Sequence, residues 1–361
     1  MVGKRGRVTL TDVAREANVS PATASKALNR NEHISARTQR TVLQAAQRLG
    51  YRTPSTAARE STASGTRLHR SGLVGLVTSD NNGRFALPLL IGAETTLGAS
   101  NHTALLISSH GRPALERSHI DRLAAYGIDG LIVVGDSANS RPPLKPSTTM
   151  GLPVVYAYDP STDPADCSVV CDNVGAGAQA IEYLVGLDRT HIAIIGGLEH
   201  SQATRDRING AHNAFALCGV RPVEELFDVW SEKWGFHAAA VILERHPDLD
   251  AVYCLSDEIA RGAVHGLLSA GKRVPQDVAV IGHDNWSVFC TGAEPALTTF
   301  DNNITLIGKT AAQYLLDAIN GNPHHGVFSV ECPMIVREST EEGRRTPLES
   351  SGRIYEKRQG A

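Results

Sequence analysis

The chain has 361 residues, 42% hydrophobic and 20% charged, with a formal net charge of −3. That length exceeds one ordinary domain and predicts two or three compact units, and the composition excludes a chain disordered throughout. No apolar run reaches the ~20 residues that span a bilayer, and MVGKRGRVTL lacks the apolar core of a signal peptide. A cytoplasmic protein with no membrane partner is expected.

The near-neutral total hides an asymmetry. Residues 1–70 hold 13 Lys/Arg against 4 Asp/Glu, a balance of +9, whereas the rest hold 22 against 34, a balance of −12. The basic head reads as a phosphate-seeking surface, because each phosphate it neutralises releases condensed counterions. The cysteines, Cys167, Cys171, Cys218, Cys254, Cys290 and Cys332, form no CxxC pair and have no His at zinc-finger spacing, so buried free thiols and no metal are expected.

In TLTDVAREANVSPATASKALN, Leu10, Val13, Ala14 and Ala17 recur at helical spacing, with Thr9 and Asp12 placed as a capping box. Asn18-Val19-Ser20 breaks the pattern. Ser20-Pro21 then supplies an N-cap followed by proline at the first helical position, which predicts a second helix from about Pro21 to Leu28. Two short helices three residues apart make the DNA-reading helix-turn-helix arrangement. Ser35 caps a third helix, whose Val42, Ala46 and Leu49 close a small core, and Gly50 ends it. Pro54 to about Arg59 is a further short helical candidate, followed by a small, polar, basic linker.

From Leu73 the texture changes to apolar β-type runs alternating with amphipathic stretches: LVGLVTS, 86–100, TALLISS, 112–126, GLIVV, PVVYAY, SVVCD, 174–187, HIAIIGG, 202–219, AVYCLSD, 258–270 and VAVIGHD. Alternating strand and helix predicts parallel, doubly wound sheets. About 270 residues of this pattern exceed one such sheet, so two lobes with a ligand cleft between them are expected.

The ordered series TLTDVAREANVSPATASKALN, LGYR, GLVGLVTSD, YGIDGLIVV, LPVVYAYD, VVCDNVGAG, HIAIIGG, AVYCLSDEIARGA, GKRVPQDVAVIGHDN, PALTTF and VRES resembles the lactose/galactose repressor (LacI/GalR) family over residues 8 to 339. The resemblance implies a small all-α helix-turn-helix head and an α/β two-lobed, periplasmic-binding-protein-like core of two doubly wound parallel sheets. It also implies a transcriptional regulator, a repressor by expectation, that binds double-stranded operator DNA as a homodimer under control of a small-molecule effector, with no cofactor. The domain boundaries that follow are 1–53 for the head, 54–71 for hinge helix and linker, 72–171 plus 304–330 for the first lobe, 172–303 plus 331–339 for the second, and 340–361 for a disordered tail.

Carried over residue by residue, the family pattern places base-reading positions on Pro21, Ala22 and Lys26, with further DNA contacts at Thr9, Ser20, Thr23, Ser25, Asn29, Tyr51, Ala57 and Arg59. Pro21 and Ala22 offer only shape or apolar contact with a thymine methyl, so Lys26 carries the polar discrimination, without the rigid fork that arginine would bring. Where the family has a leucine wedge in its hinge, this chain has Ser61, which cannot act as one.

The family's effector positions fall on Asn81, Phe85, Asp159, Arg207, Trp230, Ser256, Asp257 and Asp284. A carboxylate and a guanidinium facing each other can both bind hydroxyls, and an indole can stack on an apolar ring face, a set that suits a sugar or other polyol. Each has a bland counterpart: core tryptophan, structural ion pair, solvated turn, helix cap. Trp234 competes with Trp230 for the exposed position. Ser201 and Ala203 stand where purine-binding members have arginine and threonine, which disfavours a purine.

Two other classes compete. Gly175-Ala176-Gly177-Ala178-Gln179-Ala180 mimics a dinucleotide-binding turn, with Glu199 where a ribose-binding acid would lie, but Asn173 and Val174 separate the strand from the glycines without the tight turn. No hydrolase motif is present. A two-lobed sugar carrier would need export and has no use for a basic head. A regulator, not an enzyme, is expected.

Overall fold

The computed structural model describes residues 9–28, 35–49, 70–341 and 354–356. The chain divides into two compact units, Met1–Arg70 and Ser71–Ala361. No helix among the described residues is long and apolar enough to cross a membrane.

The first unit contains α1 (Leu10–Glu16), α2 (Pro21–Leu28) and α3 (Ala36–Leu49). Thr9 caps α1: its N–H donates to Asp12 Oδ2 at 2.9 Å and its hydroxyl to the same oxygen at 2.7 Å. Asn18 turns the chain with φ +50°, a left-handed conformation that asparagine tolerates better than most residues. Ser20 then starts α2 by accepting from the Thr23 N–H at 3.1 Å, and Ser35 starts α3 by accepting from the Thr38 N–H at 3.2 Å. Val13, Ala14, Ala17, Ala24, Ala27, Val42, Ala45 and Ala46 form the buried core of the three helices. All eight are alanines or valines, so the backbones pack closely and the opposite face of α2 is left free of any packing role.

The second unit is α/β. A seven-stranded sheet runs in the order β13-β11-β5-β4-β3-β1-β2, and a four-stranded sheet in the order β7-β6-β8-β9. The first comprises β1 (Leu73–Thr78), β2 (Thr103–Ser108), β3 (Gly130–Val134), β4 (Val154–Ala157), β5 (Cys167–Cys171), β11 (Gly326–Val330) and β13 (Ile354–Glu356). All its pairs are parallel except β11 with β13. The second, fully parallel, comprises β6 (Ile192–Gly196), β7 (Glu224–Phe227), β8 (Ala251–Cys254) and β9 (Ala279–Ile281). Strands buried along their whole length, such as β3 and β6, are continuous apolar runs, as parallel strands covered on both faces tend to be.

The helices are α4 (Ala86–Ala99), α5 (Pro113–Ala125), α6 (Pro146–Thr149), α7 (Asn173–Gly186), α8 (Gln202–Cys218), α9 (Glu232–Arg245), α10 (Asp257–Ser269), α11 (Ser287–Cys290) and α12 (Ile304–Ile319). The chain passes from the first sheet to the second after Cys171, returns through β10 (Thr299–Phe300) into α12, and leaves the first sheet again after Val330 to pair β12 (Met334–Ile335) with β10.

The tail expected to be disordered from residue 340 is fastened at two places. The Tyr183 hydroxyl donates to Glu341 Oε1 at 2.8 Å and lies 3.2 Å from the Thr340 hydroxyl, and Ile354–Glu356 adds an antiparallel strand to β11. A three-residue strand is too short to register in the composition of a polar segment. The six cysteines are all free thiols; Cys218 is exposed and the other five are buried.

Candidate functional site

In the head, Pro21, Ala22 and Lys26 are exposed on α2, while Ala24 and Ala27 are buried. Ala22 and Lys26 stand four residues apart and so share one helix face. Thr23 and Ser25 are half-buried at the edges of that face, and Ser20 and Thr9 are exposed at the two N-caps. The hydroxyls of Ser20 and Thr23 share a hydrogen bond of 2.8 Å. With the Thr23 N–H also bonded to it, the Ser20 hydroxyl keeps one site for an outside partner and the Thr23 hydroxyl two. Asn29, Tyr51, Ala57 and Arg59, together with Ser61, lie outside the described residues.

In the core, the candidate effector residues follow the carboxyl ends of the strands, where open α/β sheets bind ligands. Asp284 follows β9 with φ +112°, a conformation costly for a residue with a Cβ and found mostly at functional sites. Its N–H donates to the Phe300 carbonyl at 2.8 Å, which ties it to the returning segment. Asn302 Nδ2 donates to Asp284 Oδ1 at 2.8 Å, Arg207 NH2 lies 3.6 Å from the same oxygen, and Arg84 ion-pairs with Oδ2.

Arg207, on α8, is 2% exposed. Its Nε donates to Asn173 Oδ1 at 2.8 Å and NH1 to the Leu255 carbonyl at 2.5 Å. Burial works most strongly against its charge, but the Asp284 carboxylate together with the neighbouring Tyr253, Tyr158 and Cys171 more than offsets that and keeps the guanidinium protonated. The placement depends on a close helix crossing: a Cβ on Gly177 of α7 would lie 2.0 Å from the Arg207 carbonyl oxygen, and one on Gly210 of α8 would lie 1.9 Å from that of Val174. The glycine pattern that mimicked a dinucleotide turn is thus a helix-packing device. Asp172 Oδ1 accepts from the Gly175 N–H at 3.0 Å and already fills the N-terminus of α7 with a carboxylate, where a pyrophosphate would be repelled.

Phe85 stacks on Tyr158 with centroids 4.4 Å apart. The Arg84 guanidinium carbon lies 4.9 Å from the Phe85 centroid and 4.4 Å from that of Trp286. Arg84, Tyr158, Asn173, Trp286 and Asn302 are therefore parts of the cluster that sequence reasoning missed. A signal existed for two of them: Tyr158 ends the run PVVYAY, and Trp286 directly follows the motif GHDN.

The remaining predicted residues separate from this cluster. Asn81 shares a hydrogen bond of 2.8 Å between its Oδ1 and His110 Nδ1. Asp159 is directed to the loop after β3, where its Oδ1 accepts from the Ser137 N–H at 3.0 Å; burial, reinforced by the charge of Asp136, pushes its carboxyl up to about 7. The Trp230 ring lies over Gly197 at the end of β6, within 2.2–2.5 Å of where a Cβ would stand. Trp234 is no rival for a ligand-facing position, since its Nε1 donates to the Gly196 carbonyl at 2.8 Å.

Ser256 and Asp257, also expected at the effector site, are engaged within the chain. The Ser256 hydroxyl caps α10, accepting from the Ile259 N–H at 3.2 Å. Asp257 is fully buried, with Oδ2 accepting from the Trp286 N–H at 2.8 Å and Oδ1 from the Thr299 hydroxyl at 2.5 Å. Both oxygens are spent on holding the Trp286 loop against the returning segment. Burial, reinforced by the charge of Asp284, raises the Asp257 carboxyl well above its ordinary range, against the Thr299 hydroxyl and the Trp286 N–H, which favour its ionised form.

Contacts that join the lobes across this region include Arg84 with Asp284 and with the Trp286 ring, and Asn139 Oδ1 with the Gln202 N–H at 2.8 Å. Two cavities among the described residues lie elsewhere. One, of about 500 Å³, is bordered by His212, Phe215 and Arg221, and the other, of about 200 Å³, by Tyr314 and His324. No group of three or more His, Cys, Asp or Glu side chains among the described residues is placed to hold a metal ion.

A three-helix head presenting one exposed helix face, joined in one chain to a core with two parallel sheets and polar groups gathered at their carboxyl ends, defines a DNA-binding regulator with a ligand-sensing core. Residues 9–54 match the model of bacterial regulatory proteins of the lacI family, and residues 181–340 that of the periplasmic binding protein-like domain. The chain is 32% identical over 346 residues to the HTH-type transcriptional regulator CelR of Thermobifida fusca, covering 93% of this chain and 99% of the relative. It is 27% identical over 343 residues to the HTH-type transcriptional repressor PurR of Vibrio campbellii, covering 92% and 98%. Among solved structures, a CelR–cellobiose complex aligns with a TM-score of 0.61 at 28% identity, covering 92% of this chain and all of that one. The Lac repressor dimer bound to operator and an anti-inducer aligns with a TM-score of 0.63 at 24% identity, covering 93% and 99%, and bears on the fold alone. The chain belongs to the lacI family of bacterial regulatory proteins and is a DNA-binding transcriptional regulator.

Proposed function

We propose that this regulator binds a two-fold symmetric operator as a homodimer through α2, and that a sugar or related polyol bound at Asp284 and Arg207 shifts its operator affinity. The observation that carries the effector reading is the buried Arg207, oriented by Asn173 and Leu255, facing Asp284 at 3.6 Å beside the Phe85, Tyr158 and Trp286 rings. Paired charge and aromatic faces are the chemistry that grips hydroxyls and the apolar faces of a pyranose. The solved relative carrying cellobiose makes that disaccharide the first probe.

The core is read as sensing rather than catalysing, in the cytoplasm where the operator lies. Support comes from how the cleft groups are used: Arg207 and Asp284 are engaged with each other and with amide groups, and the buried His283 is held neutral by burial and by the nearby Arg207 charge. The test is a gel-shift titration of the full chain on its operator with and without cellobiose, other disaccharides and monosaccharides. A response to one sugar that is lost in Asp284→Asn, with operator binding in the absence of sugar retained, is the expected result. No response to any sugar, with a response to a nucleobase instead, overturns the polyol assignment.

A further inference from the structure

We propose that Arg84 is a resident occupant of the effector cleft, holding the position that an effector must take, so that effector binding is an exchange of this guanidinium for ligand hydroxyls. The inference rests on the reading of the cleft as the effector site and adds the residue that selects what can enter it.

Arg84 lies in the loop DNNGRF after β1, and that loop is built around Asp80. Asp80 Oδ2 accepts from the N–H groups of Phe85 and Ala86 at 2.8 and 2.9 Å, and Oδ1 from those of Asn82 and Gly83 at 2.9 and 3.1 Å. With both oxygens taken by backbone, Asp80 is no counterion for Arg84. The counterion comes from the other lobe: Arg84 ion-pairs with Asp284, with its guanidinium between the rings of Phe85 and Trp286. A cation held on aromatic faces and against a carboxylate in a partly buried site is well retained.

The consequence is competition at every feature a sugar would use. Asp284 Oδ1 already receives Asn302 and faces Arg207, so a ligand hydroxyl that donates to Oδ2 competes there with Arg84. An apolar sugar face that stacks on Trp286 must displace the same guanidinium. Glu258, at the start of α10, lies within the field of Arg84 and offers it a second carboxylate once displaced. Because the occupied cleft cannot accept ligand, apparent affinity falls by the fraction of molecules in which Arg84 has moved out.

The test uses the full chain and a small cation in place of the side chain. In the absence of sugar, Arg84→Ala and Arg84→Gln are expected to raise amide hydrogen exchange in both 80–86 and 284–291, leaving protection elsewhere unchanged. Methylguanidinium at millimolar concentration restores that protection in Arg84→Ala and leaves the wild type unaffected. Cellobiose then binds Arg84→Ala about five- to tenfold more tightly than wild type, and methylguanidinium weakens its binding to the variant. Exchange raised only in 80–86, no restoration by methylguanidinium, or weaker cellobiose binding in Arg84→Ala overturns the proposal. If cellobiose binds neither protein, the sugar reading fails, and the restoration experiment alone decides whether Arg84 holds the cleft.

Discussion

Arg207 and Asp159 show how differently two charged residues near one cleft are held. Arg207 is bonded to Asn173 and Leu255 before any ligand arrives, so removing its side chain leaves a buried carbonyl and a buried amide without their donor, and part of the Asp284 charge without its partner. Arg207→Ala is therefore expected to lower stability by about 2–4 kcal/mol as well as abolish the effector response. Asp284→Asn keeps the shape and is the cleaner test of effector binding. Asp159 gives a prediction in pH. Its carboxyl is raised from an ordinary 3.8 to about 7 by burial, so the folded state holds a proton that the unfolded chain has released over that range. Stability contributed by this site is intact below about 4 and is lost as pH rises through about 7. Asp159→Asn, which cannot ionise, should match the wild type in thermal denaturation near pH 4 and exceed it by a margin that grows to pH 8. A margin independent of pH would mean that Asp159 ionises normally.

At the scale of elements, the exposed face of α2 and the crossing of α7 with α8 each support a prediction. Lys26 projects from the face of α2 that carries no packing, whereas Arg37 is exposed on α3. Lys26→Ala should weaken operator binding and relax preference at one base-pair position, and Arg37→Ala should weaken binding to all sequences alike. Selection from a randomised operator library distinguishes them, and unchanged preference in Lys26→Ala would remove its base contact from the account. For the crossing, an added methyl at Gly177 must displace α8, because it would meet the Arg207 carbonyl oxygen at 2.0 Å. Gly177→Ala should cost about 1–3 kcal/mol and weaken effector binding through the shifted Arg207; chemical denaturation and sugar titration of the same variant read both effects.

For the whole molecule, a single head reads a half-site, so a two-fold operator calls for two chains. Sedimentation of the full chain should show a dimer, and a chain beginning at residue 61 should keep sugar binding while losing operator binding. Linkage then requires operator DNA to change sugar affinity by the same factor as the sugar changes operator affinity; titrating sugar with and without operator, and operator with and without sugar, measures the two factors, and unequal factors would rule out a simple coupled equilibrium. The sequence by itself determined the helix-turn-helix with its caps at Thr9, Ser20 and Ser35 and the alternation of strand and helix, because periodicity and capping chemistry are local signals, while Arg207 and Asp284 were singled out by the family resemblance. It left out β7, where EELF is too short to show a period, and also α9 and α12, although Ile307, Ala311 and Leu315 of α12 recur at helical spacing. Only the tertiary structure decided which strand-end residues meet. Arg84 and Trp286, 202 positions apart, converge on Asp284, Ser256 and Asp257 turn out to be spent on capping and on anchoring a loop, and the glycines of a nucleotide-like motif serve a helix crossing. Contacts between distant strand ends depend on sheet order and on where the chain returns between the lobes, and neither is written in any local stretch of sequence.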